Sequence, residues 1–97
     1  MNTSSVASHV VIRLPSRVDS FISPFFEQDL KQKLQPGVTI IIDMAKTKFL
    51  EPAAASVFWA GIIQSRKEGA KIIARDMNEQ VKLVLERSGL LHHLQEL

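Results

Sequence analysis

The chain has 97 residues, 45% hydrophobic and 23% charged, the balance of a folded protein whose core is too small to divide into two. Twelve Lys and Arg against ten Asp and Glu leave a net charge of +2, and the basic residues are scattered, so no block favours nucleic acid. There is no cysteine, which excludes a disulfide framework, a thiolate metal site and a cysteine nucleophile, and no apolar run nears the roughly 18 residues of a membrane span.

The first element in chain order is a β-branched run over residues 10–14, closed by Pro15, which reads as a short strand. Ser23-Pro24 reads as a helix start, the serine capping the first free N–H groups and the proline losing nothing at the first helical position. Phe26, Leu30 and Leu34 then give that helix one apolar face, ended by Pro36-Gly37. Residues 38–42 are nearly unbroken β-branched and predict a central strand.

A second helix is predicted over 52–67, with Ala55, Phe58 and Ile62 on one stripe and Gly69 at a left-handed C-cap. Residues 71–74 form another short strand. Asn78 caps a last helix with Val81, Val84, Leu85 and Ser88 inward, and Gly89 ends it. Leu90, Leu91 and Leu94 make an apolar tail that must fold back on the core. Strands alternating with helices predict one α/β domain over residues 1–97, a mixed, mostly parallel sheet of four or five strands with three to four helices.

This order, with particular residues, resembles the STAS domain family, the anti-sigma-factor-antagonist type, from about residue 10 to the C-terminus. Arg17-Val18-Asp19 is similar to the end of the family's Gly-x-(Leu/Val)-Asp turn, with Ser16 for the glycine. Ile40-Ile41-Ile42-Asp43 matches its central strand, and Phe49-Leu50-Glu51-Pro52-Ala53-Ala54 stands at its Phe-Ile-Asp-Ser-Ser-Gly signature. Glu68-Gly69-Ala70-Lys71, residues 81–85 and Ser88-Gly89-Leu90 match the closing strand, last helix and terminal Ser/Thr-Gly-Leu.

The resemblance implies a regulatory binding domain. In partner-switching relatives a serine at the start of the second helix is phosphorylated by an anti-sigma kinase, and the modified form releases its partner. Aligned without gaps, that position is Ala53, which has no hydroxyl, so the switch cannot operate there. Glu51 replaces the aspartate, a weak and displaced substitute for a phosphate charge, and Pro52 and Ala54 replace the serine and glycine. A helix N-terminus suits a phosphate because its free N–H groups and positive dipole end face an anion. Here the start is apolar and small instead. Either Ala53, Ala54 and Ala55 offer a smooth surface to another backbone, or they pack on the sheet as good helix formers.

If Ala55, Phe58 and Ile62 face the sheet, then Ala53, Ser56, Val57 and Ala60 face outward at about 100° per residue. Asp19, Ser20, Phe21 and Ile22 are expected to approach the helix start, because loops at one end of a parallel sheet gather together. With Glu51 and Pro52 these residues form the expected partner-binding patch. Phe21 and Ile22 precede the helix where one apolar residue suffices for a staple, so one is surplus. Ser56, Ser20 and Thr47 are alternative hydroxyls, more simply read as a back-bonded helix residue and two loop residues. Lys46 and Lys48 read as solvated. Trp59 cannot share a face with Phe58 and either closes the edge of the core or anchors an interface.

His9, His92 and His93 have no ligand spacing, so no metal is expected, and no cofactor motif is present. No nucleophile has an adjacent base and no P-loop occurs, so an enzyme is not expected. Residues 1–9 lack a basic stretch followed by a long apolar one, and a cytoplasmic location without direct membrane insertion is expected. The implied partner is a GHKL-type anti-sigma kinase. The alternative is a small cytoplasmic STAS subunit resting on the ATPase of an ABC transporter that moves phospholipid.

Overall fold

The computed structural model describes residues 8–96, with side chains as far as Leu94. Four strands follow one another through helices: β1 (Ser8–Arg13), β3 (Val38–Asp43), β5 (Lys71–Arg75) and β6 (Gln95–Glu96), hydrogen-bonded in the order β1-β3-β5-β6. Every ladder among the described residues is parallel, with Val11 opposite Ile41 and Ile41 opposite Ile73. The mostly parallel α/β sheet expected is present, and β2 (Arg17–Val18) stands apart from it. It does not extend the main sheet but pairs in parallel with β4 (Phe49–Leu50) as a separate two-residue ribbon.

The β-branched run of β3 sits between β1 and β5 because a strand buried on both edges and largely on both faces must be apolar throughout; Ile40 and Ile42 are wholly buried. α1 (Ser23–Lys33) and α2 (Ala55–Glu68) lie side by side, and α3 (Glu79–Arg87) packs on β4 and the C-terminal segment. The expected stripes are inside: Phe26, Leu30 and Leu34 from α1; Ala55, Phe58 and Ile62 from α2; Val81, Val84 and Leu85 from α3. Leu90 and Leu94 fold back into the same core. Gly69 closes α2 at φ 71°, a left-handed conformation that glycine adopts without a Cβ clash. Asn78 caps α3, its side chain accepting from the Val81 N–H at 2.8 Å.

Ser23 does not cap α1. It lies inside the first turn, and both its N–H and its hydroxyl donate to the Asp19 carbonyl at 2.9 and 2.7 Å. Asp19 does the work of a cap one turn earlier, its Oδ1 accepting from the N–H groups of Phe21 and Ile22 at 3.1 Å each. The second helix also begins differently, with a 3-10 turn over Pro52–Ala54 before α2.

Asp43 ends β3 by holding its neighbours: Oδ2 lies 3.6 Å from Arg13 Nε and 3.4 Å from Arg75 Nη2, one from each flanking strand. Its Oδ1 accepts from the Ala45 N–H at 2.9 Å. That backbone bond, opposed by burial and helped by Arg75 and Arg13, holds the carboxyl below its ordinary 3.8. The folded value is the lower one, so this stabilisation is present above pH 3.8 and is lost as pH falls through the folded value.

Gly61 sets how closely α2 approaches. A Cβ there would stand 3.1 Å from Leu30 Cδ1 and 3.2 Å from Ile72 Cδ1, so the residue is pinched between α1 and β5. Gly61→Val should overfill this seam and cost roughly 1–3 kcal/mol. Urea unfolding with an unchanged slope and a lower midpoint is the expected result.

Candidate functional site

The connections leaving β1 and β3 meet at the carboxyl ends of the strands, and a short chain of hydrogen bonds makes them meet. Ser16 O accepts from Lys48 N and Phe49 N at 2.8 and 3.1 Å, and Val18 O accepts from Glu51 N at 2.8 Å. Thr47, read as an ordinary loop residue, is buried and donates Oγ1 to the Pro15 carbonyl at 2.9 Å. A hydroxyl is needed there because the carbonyls of a tight connection have no strand partner.

The free edge of β4 is paired by a side chain. Gln80 Oε1 accepts from Leu50 N at 2.8 Å while its Nε2 donates to Leu50 O at 3.0 Å, so one amide replaces a neighbouring strand. Asn78 Nδ2 reaches the carbonyls of Lys48 and Thr47 at 3.1 and 3.3 Å. α3 thus grips the loop that leads into α2. The Arg17 guanidinium covers the Phe49 ring at 4.6 Å and pairs with Asp19 Oδ2 at 3.4 Å. Neither Gln80 nor Asn78 stood out as a site residue in the sequence, since an amide's partner across 30 residues leaves no local pattern.

On this frame Ser20 donates its hydroxyl to Glu51 Oε1, joining the loop before α1 to the entrance of α2. The expected approach of residues 19–22 to the helix start is present. Phe21 is 76% exposed and Phe25 62% exposed, their ring centroids 6.1 Å apart. Phe25 was missed, although the signal was available: Phe26 occupies the inward stripe, so its neighbour cannot. Ile22 is half-buried. Asp19 is half-buried too and committed to the turn it organises.

Across the Ser20–Glu51 bond, Pro52, Ala53, Ser56 and Ala60 are exposed. The Ser56 hydroxyl donates back to the Ala53 carbonyl at 3.2 Å, as a small helix residue ordinarily does. One expectation fails. Val57 is only 7% exposed and lines the seam between α1 and α2 with Leu30, Leu34 and Gly61. The reason is that α2 buries a second flank against α1, which a stripe facing the sheet alone does not reveal. Ala54 and Ala55 are buried as well, so the alanine run packs on the core and only Ala53 of the three is presented outward.

Trp59 closes the edge of the core: its indole N–H donates to the Ser88 carbonyl at 3.2 Å and its ring meets His93 at 5.4 Å. Beside the signature lies an open groove of about 460 Å³, lined by Phe49, Pro52, Leu83, Val84 and Arg87. Among the described residues no group of three or more His, Cys, Asp or Glu could hold a metal, and no helix is long and apolar enough to cross a membrane.

Among the described residues the exposed large hydrophobics are Phe21 and Phe25 around the start of α1, Ile63 on α2 and Leu83 on α3. The chain belongs to the STAS domain family, whose model matches residues 1–96. Among solved structures it is similar to the anti-sigma factor antagonist SpoIIAA in its unphosphorylated form, at 20% identity and a TM-score of 0.72, covering 95% of this chain and 82% of that one. It is equally similar in shape to a sulfate transporter family protein from Wolinella succinogenes, at 13% identity and a TM-score of 0.72, covering 92% of this chain and 75% of that one. No curated protein matches the sequence.

Burial separates the two variants that the sequence alone would pair. Val57→Glu should place a carboxylate in the α1–α2 seam and cost several kcal/mol, on the order expected for an unpaired buried charge. Ala60→Glu, on the exposed side, should leave the melting temperature within a few degrees of wild type. Thermal melts followed by circular dichroism distinguish them.

Proposed function

We propose that the protein is a cytoplasmic regulatory binding domain of the anti-sigma-factor-antagonist type, not an enzyme, which docks a GHKL-type anti-sigma kinase and is not switched at Ala53. The observation that carries this reading is the exposed Phe21–Phe25 pair fastened beside Ala53 by the Ser20–Glu51 bond. Two large aromatic rings held in solvent next to a small apolar helix start are the composition of an interface centre, where aromatics anchor and small residues let a partner approach.

Ser20, Phe21, Phe25, Glu51, Pro52, Ala53, Ser56 and Ala60 make up the docking face in this reading, while Val57 supports it from within. Asp19 and Ile22 position the loop. A partner covering such a face buries about 800 Å² on this side. A phosphate would put a charge of about −1.5 to −2 in its centre, which is how a modified relative would lose its partner. Ala53 cannot carry one. Ser56 has its hydroxyl turned to the helix, Thr47 is buried and Ser20 gives its hydroxyl to Glu51, and in this reading the docking-competent form is permanent.

The test uses the purified protein as bait, with Ala53→Asp and Phe21→Ala beside the wild type and circular dichroism as the control on folding. A kinase-type ATP-binding partner retained by the wild type, lost by Ala53→Asp and weakened roughly tenfold or more by Phe21→Ala is expected. Incubation of that complex with ATP should leave the bait unphosphorylated. Capture of a transporter-type ATPase would favour the second reading instead. Stoichiometric phosphate on Ser56 or Ser20 would show a switch relocated, not lost.

A further inference from the structure

A second groove lies at the other end of α2, where β5 begins and the C-terminal segment passes. It is an open space of about 300 Å³, and its ionisable lining is Arg66 from α2, Lys71 from β5, and His92 and His93 from the 3-10 turn Leu91–His93. α2 has 14 residues, so by helix rise this groove is roughly 20 Å from Ala53. None of its lining residues is acidic.

The contacts inside the groove are unusual in sign. Arg66 Nη2 lies 2.9 Å from His93 Nδ1. A guanidinium can only donate, so Nδ1 is the acceptor and the neutral ring carries its proton on Nε2. The His92 and His93 rings are 4.4 Å apart between centroids. His93 also rests on Trp59, whose own N–H is held by Ser88, so the imidazole has a fixed place.

Some surface cations face carboxylates. Arg13 and Arg75 pair with Asp43, Arg17 with Asp19, Lys31 with Glu27 and Lys33 with Asp29. Among the described residues Arg66, Lys71, His92 and His93 have no such partner, nor do Lys46, Lys48, Lys67 and Arg87, but the first four line one groove together. The carboxylate nearest in sequence, Glu68, accepts from Gln64 and belongs to the α1 side of the helix. The carbonyl end of α2 offers only about half a charge to this group, too little to balance an arginine and a lysine.

We propose that this groove binds a phosphate group, free or as the monoester of a small molecule, with Arg66 and Lys71 supplying charge and the two histidines supplying hydrogen bonds. The residue types suit the ligand: guanidinium matches phosphate oxygens bidentately, and an imidazole N–H adds a directed donor. The volume is at the lower limit of small-ligand pockets, which fits a compact monoester. Desolvation, then His92 and Arg66, hold the His93 pKa below its ordinary 6.5, and a bound dianion opposes that lowering.

NMR of the C–H signals of His9, His92 and His93 tests this, with inorganic phosphate titrated in against sodium chloride at matched ionic strength and glycerol 3-phosphate as a second arm. Saturable shifts of His92 and His93 but not His9, with the His93 titration midpoint moving up, are expected. Arg66→Gln, at an exposed position, should weaken binding roughly tenfold or more. Equal affinity in both arms marks the phosphate group itself as the ligand, and tighter binding of the monoester marks an esterified one. Shifts that do not saturate, that sodium chloride reproduces, or that persist unchanged in Arg66→Gln overturn the proposal.

Discussion

The candidate surface depends on a ribbon of two residues per strand. Arg17-Val18 against Phe49-Leu50 is too short to be stable as an isolated ladder. It persists because side chains complete it: Thr47 satisfies the Pro15 carbonyl from below, Gln80 supplies both hydrogen bonds of a missing neighbour to Leu50, and Asn78 ties the carbonyls of Thr47 and Lys48 to the first turn of α3. Val18 and Leu50 are wholly buried, so the ribbon also adds apolar area to the core. Without it, the loops that carry Ser20 and Glu51 would leave separate strand ends with nothing to bring them together.

This division of labour separates support from presentation. Asp19 spends its carboxylate and its carbonyl on the turn into α1, and Arg17 pairs with it while covering Phe49. The residues left over, Phe21, Phe25, Pro52 and Ala53, have no task in the fold and point to water. Exposing two phenylalanines is unfavourable in isolation, and a covering partner is the simplest compensation. The proposed phosphate groove at the far end of α2 shares no residue with this face.

Sequence reasoning succeeded where the signal is local. A β-branched run reports a buried strand, Gly69 reports a left-handed cap, and Asn78 reports a helix start, because each depends on conformational preferences within a few residues. The failures have one physical cause. Whether Val57 is in or out depends on α1 lying beside α2, and whether Thr47 is a loop decoration or a buried donor depends on a carbonyl 32 residues away. Ser23 was read as a cap, yet its own N–H and hydroxyl are given to the Asp19 carbonyl, and the N–H groups of Phe25 and Phe26 go to the Ile22 carbonyl. The alanine run had two readings, and packing chose between them residue by residue: Ala54 and Ala55 inward, Ala53 outward. Residues 49–54, matched by resemblance to the family's signature, lead into the second helix as read, but the aromatic pair beside them came from the structure.

The central claim is that the ribbon and its side-chain clamps hold the two loops in a preformed arrangement before any partner arrives. Amide hydrogen exchange of the free protein measures this directly. The N–H groups of Leu50 and Glu51, donated to Gln80 and Val18, should exchange as slowly as those of β3, and Gln80→Ala should release Leu50 while β3 stays protected. Exchange of Leu50 and Glu51 at the rate of an open loop in the wild-type protein would contradict the account, because the face would then be assembled only on binding.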